Sequence, residues 1–385
     1  MGEVQDRQRV VVVGAGIAGC QVARELAPDH DVLLLDRRGV AAEATGLSAG
    51  LVAPPLFYGD LPEVAAFAID DFRSFDDTHG FEFVERDRLD VIPVGEASDA
   101  RETARRLERT GFASDYLDAE DVAERYPRVD LDGYAGAVLY RDTGWVDPYT
   151  YAMALKREAL KRGATVETGV DVTRIRVENS GVAGVETPSR SLDADAVVIP
   201  AGWRSADLLG SSVDLPVRPF RTQCLVLSPS QPLEADAPLW RLGDEHLYGR
   251  PELNGDLLVG GAHETVPEPT AASADIDESF AIQVAETVPK LVRGFDDAGF
   301  VNGWAGVDIG TPDTRPILDR PVGGPDGLVV ATGFNGLGVM ISPIVGPTVR
   351  QRLTGADPGF PVEPFAADRF DDVGTDFEYV STSEV

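Results

Sequence analysis

The chain has 385 residues, 43% of them hydrophobic, with 65 acidic against 34 basic side chains and a formal net charge of −31. That much apolar material builds a sizeable core and excludes a disordered chain, while the acidic field opposes binding to nucleic acid or to an anionic membrane. Two cysteines, Cys20 and Cys224, exclude a disulfide framework and a zinc-ligand cluster and read as packing thiols.

Lysine stands only at 156, 161 and 290, so arginine carries nearly all the positive charge. Such a surface stays soluble when salt screens its self-repulsion, which points to a halophilic source, a basic partner being the weaker alternative. A charged leader runs straight into the first strand with no apolar signal segment. The longest apolar runs, at 10–13 and 32–35, fall far short of the roughly 20 residues of a membrane helix. A cytoplasmic protein without membrane insertion is expected.

In chain order, Arg9–Val13 is a β-branched strand, Ile17–Ala27 a helix ended by Pro28, and Asp31–Leu35 a second strand. Pro62–Thr78 carries an apolar face at helical spacing; Leu89–Val94 reads as a strand and Ala97–Thr110 as a polar helix. Asp147–Arg162 is a helix with Asp147 as cap, Pro148 in the first position and Gly163 as terminator. Strands follow at Ala164–Glu167, Val170–Glu178, Val182–Glu186 and Asp195–Ile199, then at Val217–Leu227, His246–Arg250 and Asp256–Gly261. Asp275–Leu291 is a helix, Leu328–Ala331 a last buried strand and Gly336–Leu353 a last helix. The acidic end, Asp368–Val385, is expected to be partly without structure. The alternation predicts an α/β fold with two strand-rich insertions, about 81–146 and 217–304.

The strongest motif is Gly14-Ala15-Gly16-Ile17-Ala18-Gly19, placed between a strand and a helix. Gly14 permits the turn, Gly16 lets backbone approach a pyrophosphate, and Gly19 lets the helix sit close to the sheet. The helix N-terminus favours the phosphates, and Asp36 at the end of the second strand accepts hydrogen bonds from a ribose. Arg37 and Arg38 raise the alternative of a 2′-phosphate, which Asp36 would repel. A second glycine-rich strand-to-helix turn, Gly333-Phe334-Asn335-Gly336-Leu337-Gly338-Val339-Met340, lies far away in sequence. A helix N-terminus there suits a flavin, whose reduction places negative charge near N1 and the C2 carbonyl. The plain alternative is a packing helix with glycine clearance.

With these motifs the chain resembles the D-amino acid oxidase-like (DAO) superfamily of flavoenzymes. Further resemblance lies in Ala44-Thr45-Gly46-Leu47-Ser48-Ala49-Gly50-Leu51, similar to the family's second flavin-contacting loop, and in Pro200-Ala201-Gly202-Trp203 at a strand end. Trp304-Ala305-Gly306 with Thr311-Pro312-Asp313 and Arg315-Pro316-Ile317, and the tail pieces Pro364-Phe365 and Asp368-Arg369-Phe370, follow the family order. The resemblance implies an α/β fold: a Rossmann-like FAD-binding domain, discontinuous over 1–80, 147–216 and 305–355, with an inserted strand-rich substrate-binding domain over 81–146 and 217–304, and an acidic tail at 356–385. It implies FAD contacts at Gly14, Ala15, Gly16, Ile17, Ala18 and Gly19, at Asp36, Arg37 and Arg38, at Thr45, Gly46, Ser48, Ala49, Gly50 and Leu51, at Val172, Ala201, Gly202 and Trp203, and at Gly333, Asn335, Gly336, Leu337, Gly338, Val339 and Met340. It also implies oxidation of a small amine or amino acid (D-amino, N-alkyl or imino acid) to an imine, by hydride transfer to flavin N5. Members with covalent flavin use a cysteine upstream of the TPD segment or a histidine in the early loop; neither stands near Gly306 or Leu47, which implies non-covalent FAD.

On the substrate side, Tyr248 and His263 match a tyrosine and a histidine of sarcosine-oxidase-like members, against the alternative of a surface histidine. Arg250 and Arg221 are candidates to hold a carboxylate or, equally, structural ion-pair partners. Where glycine-oxidase-like members place a carboxylate-binding arginine, this chain has Asp308. Where others place an oxygen-assisting lysine, it has Val259, which tilts the expectation toward a dehydrogenase with an unknown electron acceptor. Oxidation of a 2-hydroxy acid with His263 as base, and a flavoprotein subunit of a larger dehydrogenase complex, remain the rival readings. The absence of a C-x-x-C pair and of a second GxGxxG disfavours a disulfide reductase.

Overall fold

The computed structural model describes residues 7–210 and 213–380. A six-stranded sheet forms its first layer, in the spatial order Ile317–Asp319, Leu328–Thr332, Ala196–Ile199, Arg9–Val13, Asp31–Asp36, Thr165–Thr168. Every pair is parallel except the edge pair of Ile317–Asp319 with Leu328–Thr332. Parallel strands need crossovers, and these cover both faces of the sheet with apolar elements. Period-two alternation then divides each strand between two cores: Val10 and Val12 pack on one face, Val11 and Val13 on the other.

Arg9–Val13 sits at the centre, with the chain continuing to one side in Asp31–Asp36 and to the other in Ala196–Ile199. The turns after Val13 and after Ile199 therefore diverge and leave a crevice at the strand C-termini, where open α/β sheets bind nucleotides.

The second layer is an eight-stranded sheet, in the order Gly299–Gly310, Arg218–Ser228, Leu257–Thr265, Leu247–Pro251, Leu239–Leu242, Arg88–Pro93, Tyr134–Tyr140, Ser114–Asp118. The two sequence-distant insertions become one sheet through the parallel pairing of Leu239–Leu242 with Arg88–Pro93. One face carries Leu89, Val91, Leu225, Trp240, Leu242 and Val259, in one core with Phe280, Val284, Val288 and Leu291 of the helix Glu278–Leu291. The other face bears the residues turned toward the crevice.

Most expected elements form within a residue or two. Asp147 caps Pro148–Lys161 by accepting from Thr150 N at 2.7 Å. Two expectations are corrected, and a third is tested only in part. The helix expected over Gly336–Leu353 is broken into Gly338–Ile341, a 3-10 turn Ser342–Ile344 and Val345–Thr354, because Pro343 interrupts the backbone ladder. The strand expected from Val170 begins at Arg174, which frees 170–172 to line the crevice. The tail is tied down as far as it is described: Arg218 Nη1 donates to Phe377 O at 2.7 Å, and the Tyr379 and Phe220 rings stack at 4.4 Å. The remainder, 381–385, lies outside the described residues. Among those residues no helix is long and apolar enough to cross a membrane.

Candidate active site

One cleft runs from the C-terminal ends of the parallel strands to the face of the large sheet and encloses about 1760 Å³ of empty space, its open mouth included.

At one end Gly14, Gly16, Ile17 and Ala18 line the cleft. Gly14 has φ +119°, and a methyl built on it would stand 2.7 Å from Pro200 O, so the first turn requires glycine on both counts. Gly19 lies behind, where a methyl would stand 1.8 Å from Gly14 O. Asp36 lines the cleft and fixes the turn: Oδ2 accepts from Ala15 N at 2.8 Å and Oδ1 from Arg38 N at 2.7 Å. Ala15 and Arg38 themselves do not line it. Arg37 does, paired with Glu43 and with its guanidinium 5.4 Å from the Trp203 ring centre. Thr45 Oγ1 accepts from Ile17 N at 3.0 Å, which ties the second loop to the first helix. Thr45, Ser48, Ala49, Leu51, Val172, Ala201, Gly202 and Trp203 complete this wall. Gly46 and Gly50 serve the loop's shape, packed against Ala41 O and Val146 O.

Gly336, Leu337, Gly338, Val339 and Met340 line the cleft farther along. Gly333 and Asn335 do not reach it. Asn335, fully buried, donates to Gly333 O at 2.6 Å and to Thr311 Oγ1 at 3.1 Å and accepts from Thr311 N at 3.0 Å. It locks this loop onto the Thr311-Pro312-Asp313 segment, which accounts for the presence of both motifs.

The wall of the cleft on the side of the large sheet is assembled by strand register. Cross-strand pairs Trp304↔Cys224, Cys224↔Gly260, Gly260↔Tyr248, Tyr248↔Arg241 and Arg241↔Asp90 place these residues in one row across six strands, on one face. Gly260 leaves the space that the Tyr248 ring fills, and Tyr248 Oη lies 3.9 Å from Cys224 Sγ. His263 reaches the same face only through a bulge. Gln223 pairs with Gly261 and Arg221 with Glu264, so the strand carries one extra residue there, with Ala262 at φ +50°. Without that residue His263 would share the far face with Gly261. Burial, with a smaller contribution from His246, pushes the His263 imidazole down to about 4, so it is neutral at pH 7. Burial pushes the Cys224 thiol up to about 11 and holds the Tyr248 phenol well above its usual range, so both keep their protons.

Arg221 and Arg250 do not line the cleft. Arg221 stands between Phe220 and Thr222, so strand alternation turns it to the far face, where it meets Asp277 at 2.8 Å and Glu264 at 3.3 Å. Arg250 is spent on the second loop: its Nε donates to Ala49 O at 2.6 Å, and its guanidinium lies 4.1 Å from the Trp145 ring centre. Val259 is fully buried in the core of the far face, so its identity carries no information about the electron acceptor.

The arginines that do line this part of the cleft are Arg88 and Arg241, which the sequence reading missed. Arg88 Nε donates to Asp90 Oδ1 at 2.6 Å, and Arg241 Nη1 lies 3.6 Å from Asp90 Oδ2. Two guanidinium groups thus share one carboxylate. Register between the two insertions creates this cluster, and no local motif announces it. Phe57, Thr222, Cys224 and Asp308 also line the cleft.

The family profile described as "FAD dependent oxidoreductase" (DAO) matches residues 9–352. The chain belongs to the DAO family of FAD-dependent oxidoreductases. A glycine oxidase of Pseudomonas putida is 28% identical over 372 residues, spanning 93% of this chain and 98% of the relative. Two solved structures share the fold: glycine oxidase from Geobacillus kaustophilus, at a TM-score of 0.83 and 23% identity over 95% of this chain and 100% of that one, and L-proline dehydrogenase from P. horikoshii, at 0.85 and 21% over 95% and 98%.

The DAO cofactor fits the cleft as found. The glycine positions at 14 and 16 open backbone to it, Asp36 and the helix N-terminus at Ile17 lie at one end, and the 336–340 loop lies at the other. When bound, FAD supplies the acceptor for a hydride equivalent, and the protein's part is to bind, orient and shield the reactants.

Proposed function

We propose that this flavoenzyme oxidises a small amino acid, primary or N-alkylated, at the carbon bearing nitrogen, giving an imine that hydrolyses. The observation that carries this reading is the Arg88–Asp90–Arg241 cluster on the wall of the FAD cleft. Arg88 and Arg241, which share the Asp90 carboxylate, both line the cleft and give this stretch of wall a cationic character that suits a substrate carboxylate. Neutral His263 and protonated Tyr248 stand on the same sheet face and offer an acceptor and a donor to orient the rest of the substrate. The relatives named for glycine and L-proline oxidation support the class.

In the same proposal the diphosphate lies against Gly14, Gly16 and Ile17, the ribose against Asp36, and the redox ring against 336–340. The cofactor is held without a covalent bond by 1–80, 147–216 and 305–355, with 81–146 and 217–304 covering the substrate. The net charge of −31 suits a salt-rich cytoplasm. The 2-hydroxy acid reading in the form that makes His263 the base is disfavoured, because an imidazole pushed down to about 4 is a poor acceptor for a hydroxyl proton.

The test is anaerobic bleaching of the purified yellow protein, in high salt, by a panel of D-amino acids, N-methyl amino acids, proline and 2-hydroxy acids. Bleaching by an amino acid is expected. Bleaching by hydroxy acids alone, or by none of the panel, refutes the proposal.

A further inference from the structure

Four carboxylates line the cleft: Asp36, Glu43, Asp171 and Asp308. Three are engaged at the dinucleotide end. Asp36 holds the first glycine turn, Glu43 pairs with Arg37, and Asp171 pairs with Arg204 at 3.0 Å. Asp308 stands apart from them, in the strand Gly299–Gly310. It shares a face with Trp304 and Gly306 by strand alternation and pairs across the sheet with Phe220, whose ring centre is 5.9 Å from that of His263. Oδ1 accepts from Ile309 N at 2.8 Å and Oδ2 from Gly336 N at 2.9 Å. Among the described residues no cation pairs with it. The two amides fix the carboxylate's direction, and each oxygen keeps a second lone pair for another partner.

We propose that Asp308 receives the substrate's amino group: it pairs with the incoming ammonium and then takes one proton from it. The inference rests on the amino acid reading above. The step is a proton transfer. One N–H bond of the substrate breaks, one O–H bond forms on Asp308, and no electrons change hands. The nitrogen lone pair so released is what oxidation at the adjacent carbon requires.

The other candidates on this face do not serve. His263 is neutral and carries no negative charge to pair with an ammonium, and Tyr248 and Cys224 keep their own protons. Burial raises the Asp308 carboxyl above the usual aspartate range, which brings it nearer to a working base. The charged or titratable groups on the elements packed against it are Arg218 and Arg221 of the neighbouring strand, Arg204, and Tyr379 of the tail. Arg218 is turned to Phe377 O, Arg221 to Asp277 and Arg204 to Asp171.

The test uses the FAD-loaded enzyme, the amino acid of the panel that bleaches it fastest, and methylthioacetate, a carboxylate with neutral sulfur in place of nitrogen. In the wild type the limiting rate of anaerobic flavin reduction is expected to stay nearly flat between about pH 6 and 9, because the proton acceptor is internal. In Asp308→Asn the proton must leave to water beforehand, and the rate is expected to rise about tenfold per pH unit toward the amine's own pKa. The apparent Kd for the amino acid should rise at least about tenfold in the variant, while inhibition by methylthioacetate changes less than about twofold. Asp308→Ser, which keeps an acceptor for Gly336 N, is the second variant should the asparagine fail to fold. An unchanged pH profile, or equal weakening of both ligands, overturns the assignment. If no amino acid bleaches the wild type, the functional reading has failed as well, an outcome distinct from a variant that behaves like the wild type.

Discussion

Gly260→Ala tests the register on which the substrate wall depends. A methyl at this position would stand 2.3 Å from both Cζ and Oη of Tyr248 and 2.4 Å from Cε2. Ordinary contact begins near 3.4 Å, so ring or strand must yield by about 1 Å. Cys224 and Arg241 flank the ring in the same row, so the easy displacement is outward into the cleft. Overpacking of this kind costs about 1–3 kcal/mol, and misplacement of a positioning group by about 1 Å costs on the order of a hundredfold in rate. A melting temperature lower by about 2–8 °C and a kcat/KM lower by about a hundredfold are expected, with FAD retained because the phosphate end is untouched. The control is the double-mutant cycle with Tyr248→Ala. Once the ring is gone the three atoms nearest the added methyl are gone with it, and Gly260→Ala should then cost much less stability. Equal destabilisation in both backgrounds, or no loss in either, refutes the placement of Tyr248 over Gly260.

Arg241→Gln should raise KM about 10- to 100-fold with a smaller change in kcat, from the loss of a charge-assisted contact of about 1.5–3 kcal/mol, while Arg88 still satisfies Asp90; steady-state kinetics with carboxylate and amide forms of one substrate read this directly. Asp36→Ala releases Ala15 N and Arg38 N and should weaken FAD binding about tenfold or more, measured by fluorescence titration of the apoprotein. His263 is pushed down from 6.5 to about 4 on folding, so the unfolded chain takes up the proton first. That contribution to stability is therefore lost as pH falls through this window, and His263→Asn should remove it from the pH dependence of denaturant unfolding. Denaturation followed by filtration should release all the yellow colour, because neither the Gly306 stretch nor the Leu47 loop carries a cysteine or histidine.

The dinucleotide grip was legible because it is local. Strand, glycine turn, helix and acidic strand end follow one another in the chain, and each glycine's role follows from clearances within that unit and to one neighbouring turn. Asn335 was expected to contact the cofactor, but it is turned away from the cleft to Thr311, a partner that emerged only when its loop closed on the Thr311-Pro312-Asp313 segment.

The wall of the cleft on the side of the large sheet was legible only in part. Tyr248 and His263 were found through resemblance, but the chain alone does not reveal the extra residue that turns His263 inward. Arg221 and Arg250 were sound choices by residue type, and one step of strand parity and one backbone carbonyl removed them from the wall. The sequence by itself determined that this chain is an α/β protein with a nucleotide crevice, because patterning and glycine turns act over short stretches of backbone. Only the tertiary structure decided which charges face the cleft. Arg88, Asp90 and Arg241 meet because strands from two insertions hydrogen-bond in parallel, and that pairing depends on the packing of the whole sheet rather than on any neighbouring residue.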